Sequence, residues 1–177
     1  MKYIRLGKSE LKVSKVGFGG IPIMRVSFEE AEKCIRTAID LGINYIDTAT
    51  DYGDSEEKIG KALKKLDRDK LIVATKSPPK DVQHLEKCID QSLKRLQIDA
   101  IDLYQFHCIN NDDVLKRAVD LLPVLEKAKA KGKIRHIGAT VHGVEFINKV
   151  LEMDAFETIM IALNFIVREA ADAALPN

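Results

Sequence analysis

LIVATKSPPKDVQHLEKCIDQSLKRLQIDAIDLYQFH, residues 71–107, reads as strand, helix, strand. LIVAT is a short, continuous apolar run of the kind buried on both faces of a sheet. Val82, Leu85, Cys88, Ile89, Leu93 and Leu96 then recur at helical spacing and define one apolar face. IDLYQF returns to the strand pattern. Two strands joined by a helix of this length form a parallel pair, because a parallel connection has to cross over the sheet.

The same rhythm extends in both directions. Upstream, short alternating segments around YIRL and LKVSKV, joined by the turn-like GKSE, predict an N-terminal β-hairpin, and KVGFGG predicts the first parallel strand. A helix opens at Ser27, with Glu30 in the capping-box position. It is expected to bury Phe28, Ala31, Cys34, Ile35 and Ala38 and to stop near Leu41 and Gly42. INYIDTATDYG then ends a strand near Thr48, and a second helix is predicted from Ser55 through Leu66.

Downstream, a helix from about Asp113 to Lys131, a strand IRHIGA, a helix near Gly143 to Leu151 and a strand TIMIAL follow, with REAADAAL as a final short helix. The apolar run IMIALNFIV at 159–167 reads as a buried strand. No linker or low-complexity stretch interrupts the series, so residues 1–177 read as one α/β domain of about six strand-helix units. Such a series builds either a doubly wound open sheet or a (β/α)8 TIM-type barrel, and a complete barrel takes about 250 residues.

Composition narrows the function classes. The 28 basic and 27 acidic side chains balance, and stretches such as EKIGKALKKLDRDK read as solvated helix faces, so no nucleic-acid surface is expected. The longest apolar run is interrupted by Asn164 and falls short of the roughly 20 residues that cross a bilayer. With no signal-type N-terminus, no membrane role and a cytoplasmic location are expected. Cys34, Cys88 and Cys108 are widely spaced and read as reduced thiols. The first two are expected as packing residues, and Cys108 as a possible lining of the site.

The reactive groups lie where strands run out. DTATDYG at 47–53, ATKS at 74–77 and YQFH at 104–107 bring Asp47, Tyr52, Lys76 and His107 to three successive strand ends. In a parallel barrel the carboxyl ends of strands build the active site, which favours a barrel over a single switch-point crevice. Taken singly, each residue is ordinary for its position. Together they compose an acid-base set: Tyr is a poor acid unless its phenolate is stabilised, Lys76 supplies a cation, Asp47 holds that cation, and His107 orients a carbonyl oxygen or shares proton delivery.

The segments LKVSKVGFGG, GINYIDTATDYGDSEEKIGKAL, IVATKS, LKRLQIDAIDLYQFH and GKIRHIGAT, in this order, resemble the aldo-keto reductase superfamily. The resemblance implies an NAD(P)H-dependent oxidoreductase on a (β/α)8 barrel that reduces a small-molecule aldehyde or ketone. Tyr52 would be the general acid, Lys76 and Asp47 would tune it, and His107 would guide the carbonyl. It further implies NADPH, with NADH as the alternative, and places Gly20, Ile21, Asp47, Thr140 and Met160 at the nicotinamide end of the cofactor. Thr140-Val141 stands where Ser-Asn is frequent in the family, and Met160 where a Gln often contacts the nicotinamide amide. Family members continue into a seventh and an eighth strand, near which the basic residues for the adenosine 2'-phosphate lie. The chain is therefore expected to be an incomplete form whose unpaired edges favour self-association.

Other readings are weaker. GFGG at 17–20 lacks the third glycine of a dinucleotide fingerprint, which would fall on Pro22. Asp47, Asp51 and His107 do not make a paired-histidine metal site, and no metal is expected. Asp47 and Asp51 suit a retaining glycosidase poorly, since Lys76 would lower the carboxyl that has to stay protonated. The serious alternative is a noncatalytic aldo-keto-reductase-like protein, either a degenerate fragment or a binding and regulatory module.

Overall fold

The computed structural model describes residues 1–174 of the chain. A hairpin of β1 (Tyr3–Arg5) and β2 (Lys12–Ser14) precedes six parallel strands. These are β3 (Phe18–Gly19), β4 (Tyr45–Asp47), β5 (Ile72–Ser77), β6 (Ile101–Ile109), β7 (Ile134–Val141) and β8 (Thr158–Ile161), and each neighbours the next in chain order. Helices α1 (Phe28–Asp40), α2 (Ser55–Leu63), α3 (Val82–Leu96), α4 (Asp112–Ala130), α5 (Val144–Met153) and α6 (Glu169–Ala174) follow the six strands in turn. The strand order never reverses, so the sheet curls as a half-barrel instead of winding to both sides of a switch point.

Local chemistry starts the helices where the sequence places them. Ser27 and Glu30 form the reciprocal capping box of α1, Asp81 accepts from the His84 N–H at the start of α3, and Asn111 accepts from Val114 N–H at the start of α4. The main core lies between strands and helices, where Tyr104, Phe106, Ile137 and Ala139 meet Leu85, Ile89, Leu121 and Leu125. On the opposite, lumen face, Lys76, Gln105, Gly138 and Thr158 stand side by side across β5 to β8.

The hairpin closes the amino end of the half-barrel. Asn44, just before β4, accepts from the Ser14 N–H at 2.7 Å and donates to the Lys12 carbonyl at 2.9 Å. Across the opening, Lys8 N–H donates to the Glu157 carbonyl just before β8 at 2.7 Å. The carboxyl end is left open for chemistry.

Several elements differ from the sequence reading. In α1 the buried line is Ala31, Ile35 and Ala38, while Phe28 and Cys34 are exposed, because each sits about 60° to one side of that line. Val82, the first residue after the cap of α3, is exposed as well. Helix α2 ends at Leu63, and Lys65 and Leu66 bond back to Ala62 and Leu63 in tighter, three-residue turns. The buried strand expected at 159–167 is strand only to Ile161. Beyond it, Asn164 Oδ1 accepts from the N–H groups of Ile166 and Val167 at 2.9 Å, so the chain turns and leaves Leu163, Phe165, Ile166 and Val167 exposed. Leu175 of the predicted last helix lies outside the described residues. Among the described residues no helix is long and apolar enough to cross a membrane.

Candidate functional site

Asp47, the last residue of β4, and Lys76, the penultimate residue of β5, face each other at the carboxyl rim. Lys76 is 2% exposed, and its Nζ donates to Asp47 Oδ1 and, at 2.8 Å, to the Thr48 carbonyl. The second Asp47 oxygen accepts from Gln105 Nε2 at 3.2 Å. A buried ammonium needs this set of acceptors to offset its lost hydration. Burial pushes the Asp47 carboxyl up, while Lys76 and Gln105 pull it down; the net direction is upward.

Tyr52 reaches the same place from the turn between β4 and α2. Its ring packs edge-on against His107, with centroids 5.7 Å apart and planes at 81°, and Lys76 Nζ lies 5.0 Å from its centroid. Burial, helped by the charge of Asp47, pushes the phenol up to about 12. Tyr52 therefore carries its proton at neutral pH. His107 is held low, chiefly by burial and then by the Lys76 charge, against the pull of Asp51 3.8 Å from its Nδ1. A protonated phenol beside a neutral imidazole is an arrangement that can donate a proton to an oxygen placed between them.

The backbone at His107 is unusual. The register of β6 with β7 shifts between Phe106 and Ile109, and Cys108 takes φ 62 inside the strand. Its N–H donates to Thr140 Oγ1 at 2.8 Å, and its thiol is pushed up by burial, which keeps it from the reactive thiolate form. The three cysteines are free thiols.

The residues expected around a nicotinamide flank this cluster, Gly20 and Ile21 after β3 on one side and Thr140 and Met160 on β7 and β8 on the other. Ile21 is 47% exposed at the rim after β3, Thr140 lies near the end of β7, and Met160 is its neighbour on β8. Ile21 and Met160 offer apolar contact to a flat ring; the Thr140 oxygen already accepts from Cys108, which leaves its hydroxyl proton free to donate to an amide oxygen. This donor set fits the nicotinamide end of a cofactor. Gly20 has a different part: its N–H donates to the Asp47 carbonyl at 2.7 Å and its own carbonyl accepts from Ser55 Oγ at 2.9 Å. A Cβ on Gly20 would meet Ser55 Oγ of α2 at 2.5 Å and the Asp47 carbonyl oxygen at 3.0 Å, so glycine lets the segment after β3 come this close to both.

Three residues escaped the sequence reading. Gln105 lies two residues before His107, and period-two alternation marks it as sharing the lumen face with Lys76. Lys58 was included in a solvated helix face, yet it is 2% exposed, and Glu56 beside it is buried too, accepting from Thr75 Oγ1 at 2.7 Å. Nothing in the spacing of α2 distinguishes these charges from their exposed neighbours.

Fold and cluster together define a (β/α)8-type half-barrel with an acid-base group at its carboxyl rim. The chain belongs to the aldo/keto reductase family, whose sequence profile matches residues 15–173. It is 36% identical over 174 residues to L-galactose dehydrogenase of Arabidopsis thaliana, covering 90% of this chain and 54% of that protein. It is 30% identical to NADH-specific methylglyoxal reductase of Escherichia coli, covering 99% of this chain and 63% of that protein. Among solved structures, aldo-keto reductase AKR11C1 from Bacillus halodurans superposes with a TM-score of 0.81 at 32% identity, covering 92% of this chain and 58% of the other. The chain thus spans little more than half the length of these relatives.

Proposed function

We propose that this chain carries the acid-base half of a carbonyl reductase, in which an aldehyde or ketone of small size is reduced to an alcohol at the rim beyond β4, β5 and β6. The observation that carries the reading is the contact set of Tyr52, Lys76, Asp47 and His107. The chemistry that NADPH, or NADH, would bring when bound is a hydride for the carbonyl carbon. Ile21, Thr140 and Met160 would hold its nicotinamide end, with Gly20 and Asp47 behind them. Tyr52 Oη donates its proton to the carbonyl oxygen as negative charge develops there, and His107 holds that oxygen in place. Lys76, fixed by Asp47 and the Thr48 carbonyl, offsets the phenolate that remains until solvent returns the proton.

The test is a titration of NADPH, and in parallel NADH, into the purified chain, followed by nicotinamide fluorescence and then by turnover with an aldehyde panel. Saturable binding with turnover that Tyr52→Phe abolishes supports the reading. Binding with no turnover moves the chain to the noncatalytic binding module, and no binding of either cofactor removes the reductase reading for this chain.

A further inference from the structure

Lys58 is a buried cation that the acid-base cluster does not use. Its Nζ leaves α2 and donates to the Ile23 carbonyl at 3.0 Å, to the Met24 carbonyl at 3.5 Å and to Asp54 Oδ1 at 2.8 Å. The Phe28 ring covers it from outside, 5.4 Å from the centroid, which also explains why this phenylalanine stays partly exposed at the start of α1. Ile23 and Met24 belong to the single 3-10 turn Pro22–Arg25 that follows Ile21. Its own backbone bonds are local, Met24 N–H to the Ile21 carbonyl and Val26 N–H to the Ile23 carbonyl, so apart from the burial of Ile23 in the core it is the cation that ties the turn to α2.

A second tie runs parallel to the first. Ser55 Oγ donates to the Gly20 carbonyl and accepts from Thr48 Oγ1 at 2.9 Å, and the Thr48 carbonyl accepts from Lys76. The first turn of α2 therefore clamps the rim segment Gly20–Met24 at two points, and the same turn begins directly after Tyr52 and Gly53. Asp54 lies between Tyr52 and Lys58, so the salt bridge also fixes the approach of the tyrosine loop.

We infer that Lys58 is a positioning residue for the cofactor, setting the distance between the Ile21 rim and Tyr52 through its bonds to Ile23, Met24 and Asp54. This rests on the reading that Ile21 contacts a nicotinamide. A methionine at this site fills the buried stem but makes none of the three bonds.

The test uses the full chain and Lys58→Met, with three readouts. Amide hydrogen exchange over residues 21–26 is expected to rise about tenfold while β5 and β6 keep their protection. The dissociation constant for NADPH is expected to rise about fivefold, with cofactor KM following it and kcat at saturating cofactor holding within about twofold, the pattern of lost positioning without lost chemistry. Unchanged exchange, or loosened exchange with unchanged cofactor affinity, overturns the inference. So does an equal fall in kcat with KM unmoved. If Lys58→Met does not fold, Asp54→Asn, at a partly exposed carboxylate, is expected to shift the same readouts in the same direction by a smaller factor, and a null result there overturns the inference as well. Wild-type chain that binds no cofactor defeats the reductase reading first, and with it the binding half of this one; exchange at 21–26 still decides whether Lys58 anchors the rim.

Discussion

Lys76 Nζ lies 5.0 Å from the centre of the Tyr52 ring, over its face, while its hydrogen bonds go to Asp47 and to the Thr48 carbonyl. The cation is thus held under the phenol ring without a bond to the hydroxyl. In this arrangement Tyr52 rests as a neutral acid, and the nearby positive charge gains value only once the phenolate forms. Tyr52→Phe keeps the ring packing against His107 and removes only the proton. It is expected to lower kcat for aldehyde reduction by roughly 100- to 10,000-fold. Thermal unfolding of the same sample should match wild type, which separates lost chemistry from lost structure.

Lys76→Met leaves Asp47 largely buried with only Gln105 as a side-chain partner. Breaking a buried pair from one side costs about 3–5 kcal/mol, much of it for the charge left behind. Urea unfolding should report a loss of that order for the single variant. A double variant, Asp47→Asn with Lys76→Met, should lose less than the sum of the two single changes, since the residues bond directly.

The pH dependence of stability should carry the signature of His107. Burial first, and Lys76 second, hold its folded pKa below the ordinary 6.5. The unfolded chain therefore takes up the proton before the folded one as pH falls. The stability tied to neutral imidazole is complete above about 6.5 and is lost as pH drops through the folded value. Urea midpoints measured between about pH 7 and about pH 5 should fall more steeply for wild type than for His107→Gln; the carboxylates, common to both, cancel in that comparison. Equal slopes would remove burial as the cause.

The order of the parallel strands was legible because a continuous apolar run and a helical stripe are different periodicities, and LIVAT, IDLYQF and IRHIGA have few alternatives. The meeting of Asp47, Tyr52, Lys76 and His107 at one rim was legible for a related reason: all four fall at or just beyond the place where an apolar run stops. Burial in α1 and α2 was less legible. Phe28 and Cys34 flank the apolar line closely enough to look like part of it, and Lys58 and Glu56 are buried by what the Pro22–Arg25 turn and β5 place over them, which no helical spacing encodes. The same limit applies at 159–167, where hydrophobicity alone predicted a strand and the side-chain oxygen of Asn164 ended it.

Gly60 tests how closely α2 packs on the end of α3. A Cβ there would lie 2.2 Å from the Arg95 carbonyl oxygen and 2.8 Å from the Leu96 carbonyl carbon, both backbone atoms that cannot rotate away. Gly60→Ala gains helix propensity but has to push the two helices apart, and overpacking of this kind costs about 1–3 kcal/mol. A lower urea midpoint with an unchanged slope is the expected result. Because α2 also carries Ser55 and Lys58, the same variant should weaken cofactor binding.

Cys108 holds φ 62 inside β6, a conformation that costs a residue with a Cβ roughly 1–2 kcal/mol. Glycine removes that cost and adds some unfolded-state entropy, so Cys108→Gly should be about 1 kcal/mol more stable than Cys108→Ala. The comparison with alanine matters because both variants lose the thiol equally, which isolates the backbone. His107 lies inside the register shift between Phe106 and Ile109, and its ring packs against Tyr52. If the strained backbone is what aims the imidazole, the glycine variant gains stability while its aldehyde KM rises, as a more freely turning peptide no longer fixes the ring. If stability rises and KM stays at the wild-type value, the ring is aimed by its own packing against Tyr52, and the left-handed residue serves only the bond from the Cys108 N–H to Thr140.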